Sequence, residues 1–155
     1  MSVETVREYL KQFNKDEDIL EMSESTATVE LAARTLGTEE ARIAKSLAFY
    51  NGEDAMVIVV AGDAKIDNKK FKEQFGFKAK MLAHEDTVQY TGHAVGGVCP
   101  FALPDNVAVY LDDSMKRFET MFPACGSSNS AIELTLDELE KISKCKMWID
   151  VCKNW

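Results

Sequence analysis

Few residues of this chain combine reactive chemistry with a setting that would hold them still. Lys45, in the run Ile43-Ala-Lys-Ser-Leu-Ala-Phe49, is a single cation flanked by apolar residues at the entry to a strand. An ammonium there either snorkels to solvent along its methylene stem or points into a cleft, where it can hold an anion or an ester carbonyl. The stretch Gly92-His-Ala-Val-Gly-Gly-Val-Cys-Pro-Phe101 sets two bare residues, Gly96 and Gly97, beside Val98. Such main chain lets a ligand come close and offers N–H groups to a carbonyl or oxyanion, or it simply makes a tight bend. Pro100 stiffens the loop, and the glycine spacing matches neither the Rossmann nor the Walker nucleotide fingerprint. A third loop, Cys125-Gly126-Ser127-Ser-Asn-Ser130, carries hydroxyls and amides suited to substrate polar groups or to ordinary turns.

The four cysteines, Cys99, Cys125, Cys145 and Cys152, form no Cys-x-x-Cys pair, and neither histidine lies near one of them in the metal-ligand spacings. No metal site and no cofactor are therefore expected. Free thiols, some buried as packing residues, are the plain expectation; a redox or nucleophilic role for Cys99 or Cys125 is the alternative. His93 reads as a base or as an exposed loop residue, and His84 as part of a helix N-terminus.

Composition narrows the class. The 155 residues carry 18 Lys+Arg against 26 Asp+Glu, with 46% hydrophobic and 28% charged residues, which is ordinary globular usage and not that of a disordered chain. The longest apolar run, residues 55 to 61, is far too short to cross a bilayer, and the first residues lack a secretion signal. A single cytoplasmic domain over residues 1 to 155, with no membrane association, is expected. Residues 65 to 80 concentrate six lysines, Lys65, Lys69, Lys70, Lys72, Lys78 and Lys80, against two acidic residues. Such a patch suits a local phosphate contact or a solvated face, while the overall charge of −8 opposes tight autonomous RNA binding.

Periodicity and turn signals predict the elements that must position these groups. An amphipathic helix is expected over residues 2 to 15, a short strand over 18 to 22, and a helix over 29 to 36 capped by Thr28 and stopped by Gly37. An acidic turn over 38 to 42 should follow. Strands over 43 to 50 and 56 to 60 flank Asn51-Gly52 in a hairpin whose loop Glu53 and Asp54 could lengthen. Then come a helix over 67 to 75, a strand over 79 to 82, and a helical turn or two over 85 to 90. An irregular loop over 92 to 104 leads to a strand over 107 to 111 and a helix over 114 to 122 halted by Pro123. A strand over 132 to 134 precedes a capping box, Thr135-Leu-Asp-Glu138, that opens the last helix. The expected fold is α+β, a mixed twisted β-sheet curled into a pseudo-barrel with flanking helices.

Taken in order, Thr28-Val-Glu-Leu-Ala-Ala33 with Leu36-Gly37, Ala44-Lys45-Ser46-Leu47, Gly92-x-x-x-Gly96-Gly97-Val98-x-Pro100-Phe101 and Gly126-Ser-Ser-Asn-Ser-Ala-Ile-Glu-Leu134 resemble the YbaK family, editing domains related to the one inserted in bacterial prolyl-tRNA synthetase. The resemblance spans about residues 18 to 142. It implies a trans-editing deacylase that hydrolyses the ester of a mischarged tRNA carrying a small amino acid, with tRNA-Pro as one candidate. A non-catalytic module that binds aminoacyl-tRNA or a synthetase is the alternative. The resemblance implies Lys45, Gly96, Gly97 and Val98 as the catalytic set. Thr28, Ser46, Pro100, Gly126 and Ser127 would contact substrate, and Lys65, Lys69, Lys70 and Lys72 the tRNA acceptor end. Members that deacylate cysteinyl-tRNA carry an aromatic residue at the position of Thr28 and an aspartate at that of Ala131, so their substrate-thiol chemistry does not transfer.

Overall fold

The computed structural model describes residues 3–155. Helix α1, Val3–Leu10, buries Val3, Val6 and Leu10 and runs on as a 3-10 turn over Lys11–Phe13. The helix predicted to begin at Ser2 is thus present, with Ser2 itself outside the described residues. A second 3-10 turn, Asp16–Asp18, leads into the two-residue strand β1, Leu20–Glu21. Helix α2, Val29–Leu36, starts where the Thr28 hydroxyl accepts the Leu31 N–H and stops at left-handed Gly37. The acidic turn that follows is a 3-10 turn over Glu40–Arg42.

The centre of the molecule is the hairpin of β2, Ile43–Asn51, and β3, Asp54–Ala61. Every residue of β3 from Ala55 to Ala61 is buried, as a strand covered on both faces must be. The hairpin loop has only two residues, because Asn51 faces Asp54 across the ladder. Asp54 is kept in the strand by Asn106, whose side-chain amide donates to its carboxylate at 2.9 Å. Strand β4, Lys65–Ile66, and helix α3, Asn68–Phe75, come next; α3 is capped by Asp67 accepting the Lys69 and Lys70 amides. Helix α4 covers His84–Thr91, and strand β5 covers Ala108–Asp112. Strands β6, Thr120–Pro123, β7, Ser130–Ala131, and β8, Leu134–Thr135, precede helix α5, Leu136–Ser143. Its capping box is complete, with Thr135 and Glu138 each accepting the other's backbone N–H. Strands β9, Met147–Ile149, and β10, Cys152–Lys153, close the series.

Six strands form one sheet in the order β8-β6-β2-β3-β5-β9, curled into a half-barrel. The pairs β2/β3 and β6/β8 are antiparallel, whereas β2/β6, β3/β5 and β5/β9 are parallel. Two small antiparallel pairs, β1/β7 and β4/β10, stand outside this sheet. The α+β expectation therefore holds.

Three local expectations fail. Residues 132 to 134 are not one strand, because Ile132 and Glu133 lie between β7, which pairs with β1, and β8, which pairs with β6. Residues 114 to 122 are not a helix: a 3-10 turn over Asp113–Arg117 gives way to β6, which lies parallel to β2 with Phe122 opposite Ile43. Sheet pairing outweighs the helical spacing there. Residues 79 to 82 form only a single bridge, Met81 to Phe49, because the far half of β2 has its free edge open just for Lys80 and Leu82. Strands β9 and β10 have no counterpart in the sequence reading. Both are too short to show a period, and they exist because β5 and β4 present open edges.

Gly62, after β3, sits so close to the turn over residues 40 to 42 that a Cβ would lie 2.0 Å from the Glu40 carbonyl oxygen. Gly62→Ala must push backbone away from backbone, and should cost about 1–3 kcal/mol in urea unfolding. Thr135→Ala, which loses one arm of the capping box, should cost about 1 kcal/mol. A Gly62→Ala protein as stable as the parent would contradict this packing.

Candidate active site

A cavity of about 540 Å³ opens between β2, the start of α2, the start of α4 and two loops. Its wall includes residues 43 to 48 of β2, Ala32 and Leu36 of α2, Val95, Gly96 and Val98 of the glycine loop, and Ala124, Ser130 and Ala131 beyond β6. Most of it is apolar, and the polar groups are few, as in sites that orient a small ligand.

Lys45 lies in this wall, opposite Val60 in the hairpin, and is half-buried. Its Nζ donates to the Gly62 carbonyl at 3.5 Å. Burial pulls the amine below the usual lysine range, assisted by the charge of Lys65 and opposed by Cys152 and Asp63. The cation is therefore poorly solvated and has, among the described residues, a single long hydrogen bond, a state that favours a bound anion or carbonyl. Thr28 and Ser46 also line the cavity. The Thr28 hydroxyl is occupied as the α2 cap. Ser46 Oγ and Thr26 Oγ1, from another part of the same wall, are buried with no hydrogen-bond partner among the described residues. Thr26 was not singled out by the sequence because nothing in its local pattern differs from a turn residue.

Gly96 and Val98 reach the cavity, but Gly97 does not. The Gly97 N–H closes a turn on the Ala94 carbonyl at 2.9 Å, so that amide is not free for an oxyanion. What Gly97 provides is space. A Cβ there would lie 2.9 Å from the carbonyl carbon and oxygen of Gly126 and 3.0 Å from Ser127 Cα, so the two loops touch main chain to main chain. Gly126 and Ser127 stand behind the wall. The Ser127 hydroxyl is engaged with Asn129 Oδ1 at 2.9 Å and the Ser130 hydroxyl at 2.7 Å. Pro100 faces away, into a smaller cavity of about 160 Å³ with Tyr9 and Lys144.

His93 is neither an exposed residue nor part of the wall: it is fully buried, and Nε2 donates to the Phe101 carbonyl at 2.8 Å. Burial keeps its imidazole below the usual histidine range, and it braces the glycine loop as a neutral ring. His84, the first residue of α4, does line the cavity. Of the sequence's lysine patch, Lys70 is engaged by Asp150 at 3.1 Å and the Cys152 carbonyl at 2.9 Å. Lys65, Lys69 and Lys72 are exposed, and none of the four lines the cavity.

The thiols do not support nucleophilic chemistry. Cys99, Cys125 and Cys152 are buried, with Cys99 pushed up to about 12 and the other two raised, all chiefly by burial. Only Cys145 is partly accessible. A thiol-specific reagent should therefore label one cysteine slowly in the native protein and all four after unfolding. Fast native labelling of Cys99 or Cys125 would contradict the packing.

Comparison with known proteins identifies the family. A family model described as an aminoacyl-tRNA editing domain matches residues 23–142. The "Uncharacterized protein YwhH" of Bacillus subtilis (strain 168) is 56% identical over 100% of this chain and 99% of its own length. The "Putative Cys-tRNA(Pro)/Cys-tRNA(Cys) deacylase EbsC" of Enterococcus faecalis (strain ATCC 700802 / V583) is 29% identical over 72% of this chain and 70% of its own. Among solved structures, one described as "a putative trans-editing enzyme for prolyl tRNA synthetase" superimposes with a TM-score of 0.87 at 25% identity, covering 97% of this chain and 96% of that one. The matched span holds the lysine strand, the glycine loop and the loop it touches, and the chain belongs to the aminoacyl-tRNA editing domain family.

Proposed function

We propose that this protein is a trans-editing deacylase that hydrolyses the ester joining a small amino acid to the 3′-terminal adenosine of a mischarged tRNA. The observation that carries the reading is a poorly solvated lysine sharing one cavity with Gly96 and Val98 of the glycine loop, in a chain of the editing family. A volume of about 540 Å³ suits a drug-sized ligand, hence an aminoacyl group together with its nucleoside. The structural neighbour described as acting for prolyl-tRNA synthetase makes tRNA-Pro the first tRNA to test, and that synthetase the first partner.

The ester is already activated, so the protein's task is orientation and charge stabilisation. Water attacks the carbonyl carbon, and the developing oxyanion is received by the amides of Gly96 and Val98. The bond to the ribose oxygen then breaks, the proton from water passes to that oxygen, and the free amino acid leaves. Lys45 holds the terminal phosphate or ribose and aligns the ester with the loop. Ser46 and Thr26 supply hydroxyls for which the fold provides no partner, which favours an occupant with a hydrogen-bonding group over a purely apolar one. Thr28 and Ala131 both stand in the wall. They replace the aromatic residue and the aspartate of the cysteinyl-specific pattern, so the serine-, threonine- and alanine-charged tRNAs come first.

Release of amino acid from tRNAs mischarged with serine, threonine or alanine tests the reading. The parent protein should deacylate at least one, and Lys45→Ala should lower the rate by about 10²–10³-fold, the range for removal of one oriented electrostatic group. Binding without turnover across the panel would instead make the domain a recognition module.

A further inference from the structure

The family match ends at residue 142, yet the segment that follows lies against the neighbours of Lys45. Strand β10 pairs with β4 so that Lys153 stands directly opposite Lys65. Both lysines are exposed, and neither forms an ion pair among the described residues. Like charges facing each other across a ladder destabilise it, so this rung is a standing cost unless an anion covers it. Lys65 also lies close enough to Lys45 to oppose its charge. The nearby acids offer little compensation. Asp63 is engaged by Arg117 through two bonds of 2.6 and 2.9 Å, and Asp150 by Lys70. Asp67 feels the charge of Lys153 but is taken up with capping α3.

Beside this rung stands an aromatic surface. Trp155 is 45% exposed, its indole N–H donates to the Cys152 carbonyl at 3.4 Å, and the Arg117 guanidinium sits 5.3 Å from its ring centroid. Contacts run without a break from Lys45 through Gly62 to Asp63, Arg117 and Trp155. An anchored, partly exposed indole two residues along the chain from Lys153 of this rung is a combination suited to single-stranded nucleic acid, with bases stacking on the ring and phosphates meeting the ammonium groups. Trp148, whose N–H is likewise held, by Glu140, and whose ring also lies under a cation, Lys116, differs in being less exposed than Trp155.

Resting on the deacylase reading, we infer that Trp155 with the Lys65–Lys153 rung forms a docking platform for the unpaired 3′ end of the tRNA, next to the nucleotide whose ester enters the cavity. Trp155 stacks on an unpaired base, and the two lysines straddle the phosphate that follows it.

The test uses an uncharged acceptor-stem hairpin with a single-stranded 3′ CCA tail and a blunt hairpin of the same stem. Binding is measured at several salt concentrations, with folding of each variant checked by its melting temperature. The parent should prefer the tailed RNA. Trp155→Ala should lose about 10-fold or more of the affinity for it and with that the preference, while Trp155→Phe keeps most of it. Lys153→Gln should weaken binding and reduce the salt slope by about one. No tail preference in the parent, or unchanged tail preference in Trp155→Ala together with an unchanged salt slope in Lys153→Gln, overturns the platform. Because the RNA is uncharged, these outcomes are independent of turnover. A protein that shows the tail preference but releases no amino acid from the charged panel keeps the platform and loses the deacylase reading.

Discussion

Burial of β3 from Ala55 to Ala61 is the constraint on which the rest of this structure depends. A strand covered on both faces must pair along both edges, since a buried amide without a partner costs more than a formed hydrogen bond contributes. One edge is taken by β2 and the other by β5, and this fixes the position of every residue in β2. Lys45 therefore faces Val60 and cannot slip by one position without turning the whole strand over. The register that fills the core is also the one that sets a lysine in the cavity wall.

The wall opposite is made differently. The glycine loop and the loop at residues 126 to 130 contact each other through main chain, with Gly97 permitting the approach and His93 tying the first loop to the Phe101 carbonyl. Backbone held in this way presents its neighbouring groups without the reorganisation a flexible loop would need, as stabilisation of a developing charge requires. The second loop is in turn held by β1, whose Leu20 and Glu21 pair with Ala131 and Ser130. A short strand far away in the sequence thus keeps two wall residues in place.

Charge is unevenly distributed on this frame. The chain is acidic overall, yet Lys45, Lys65 and Lys153 gather near one end of the hairpin while the nearby carboxylates are engaged by Arg117 and Lys70. Local cations in an acidic protein suit a partner that is held at one place and released, because long-range repulsion of the polyanion limits non-specific association.

The sequence by itself determined the elements whose signals are local: α2 between Thr28 and Gly37, the β2/β3 hairpin around Asn51-Gly52, and the capping box of α5. Hydrogen bonds within a few residues decide these, so neighbouring residue types carry the information. Three residues of the candidate site that line one cavity, Lys45, Gly96 and Val98, were legible in the same way, as a cation among apolar residues and as part of a glycine-rich bend. Only the tertiary structure decided the rest. Residues 120 to 123 became a strand because β2 offered an edge, and Gly97 proved to be a spacer because Gly126 lies against it. Thr26 took its place in the wall, Pro100 turned away, and Lys153 came to face Lys65 across a ladder that no local pattern announces. Each of these depends on residues distant in the chain meeting in space, and a local pattern does not record which partner an edge or a cavity will find.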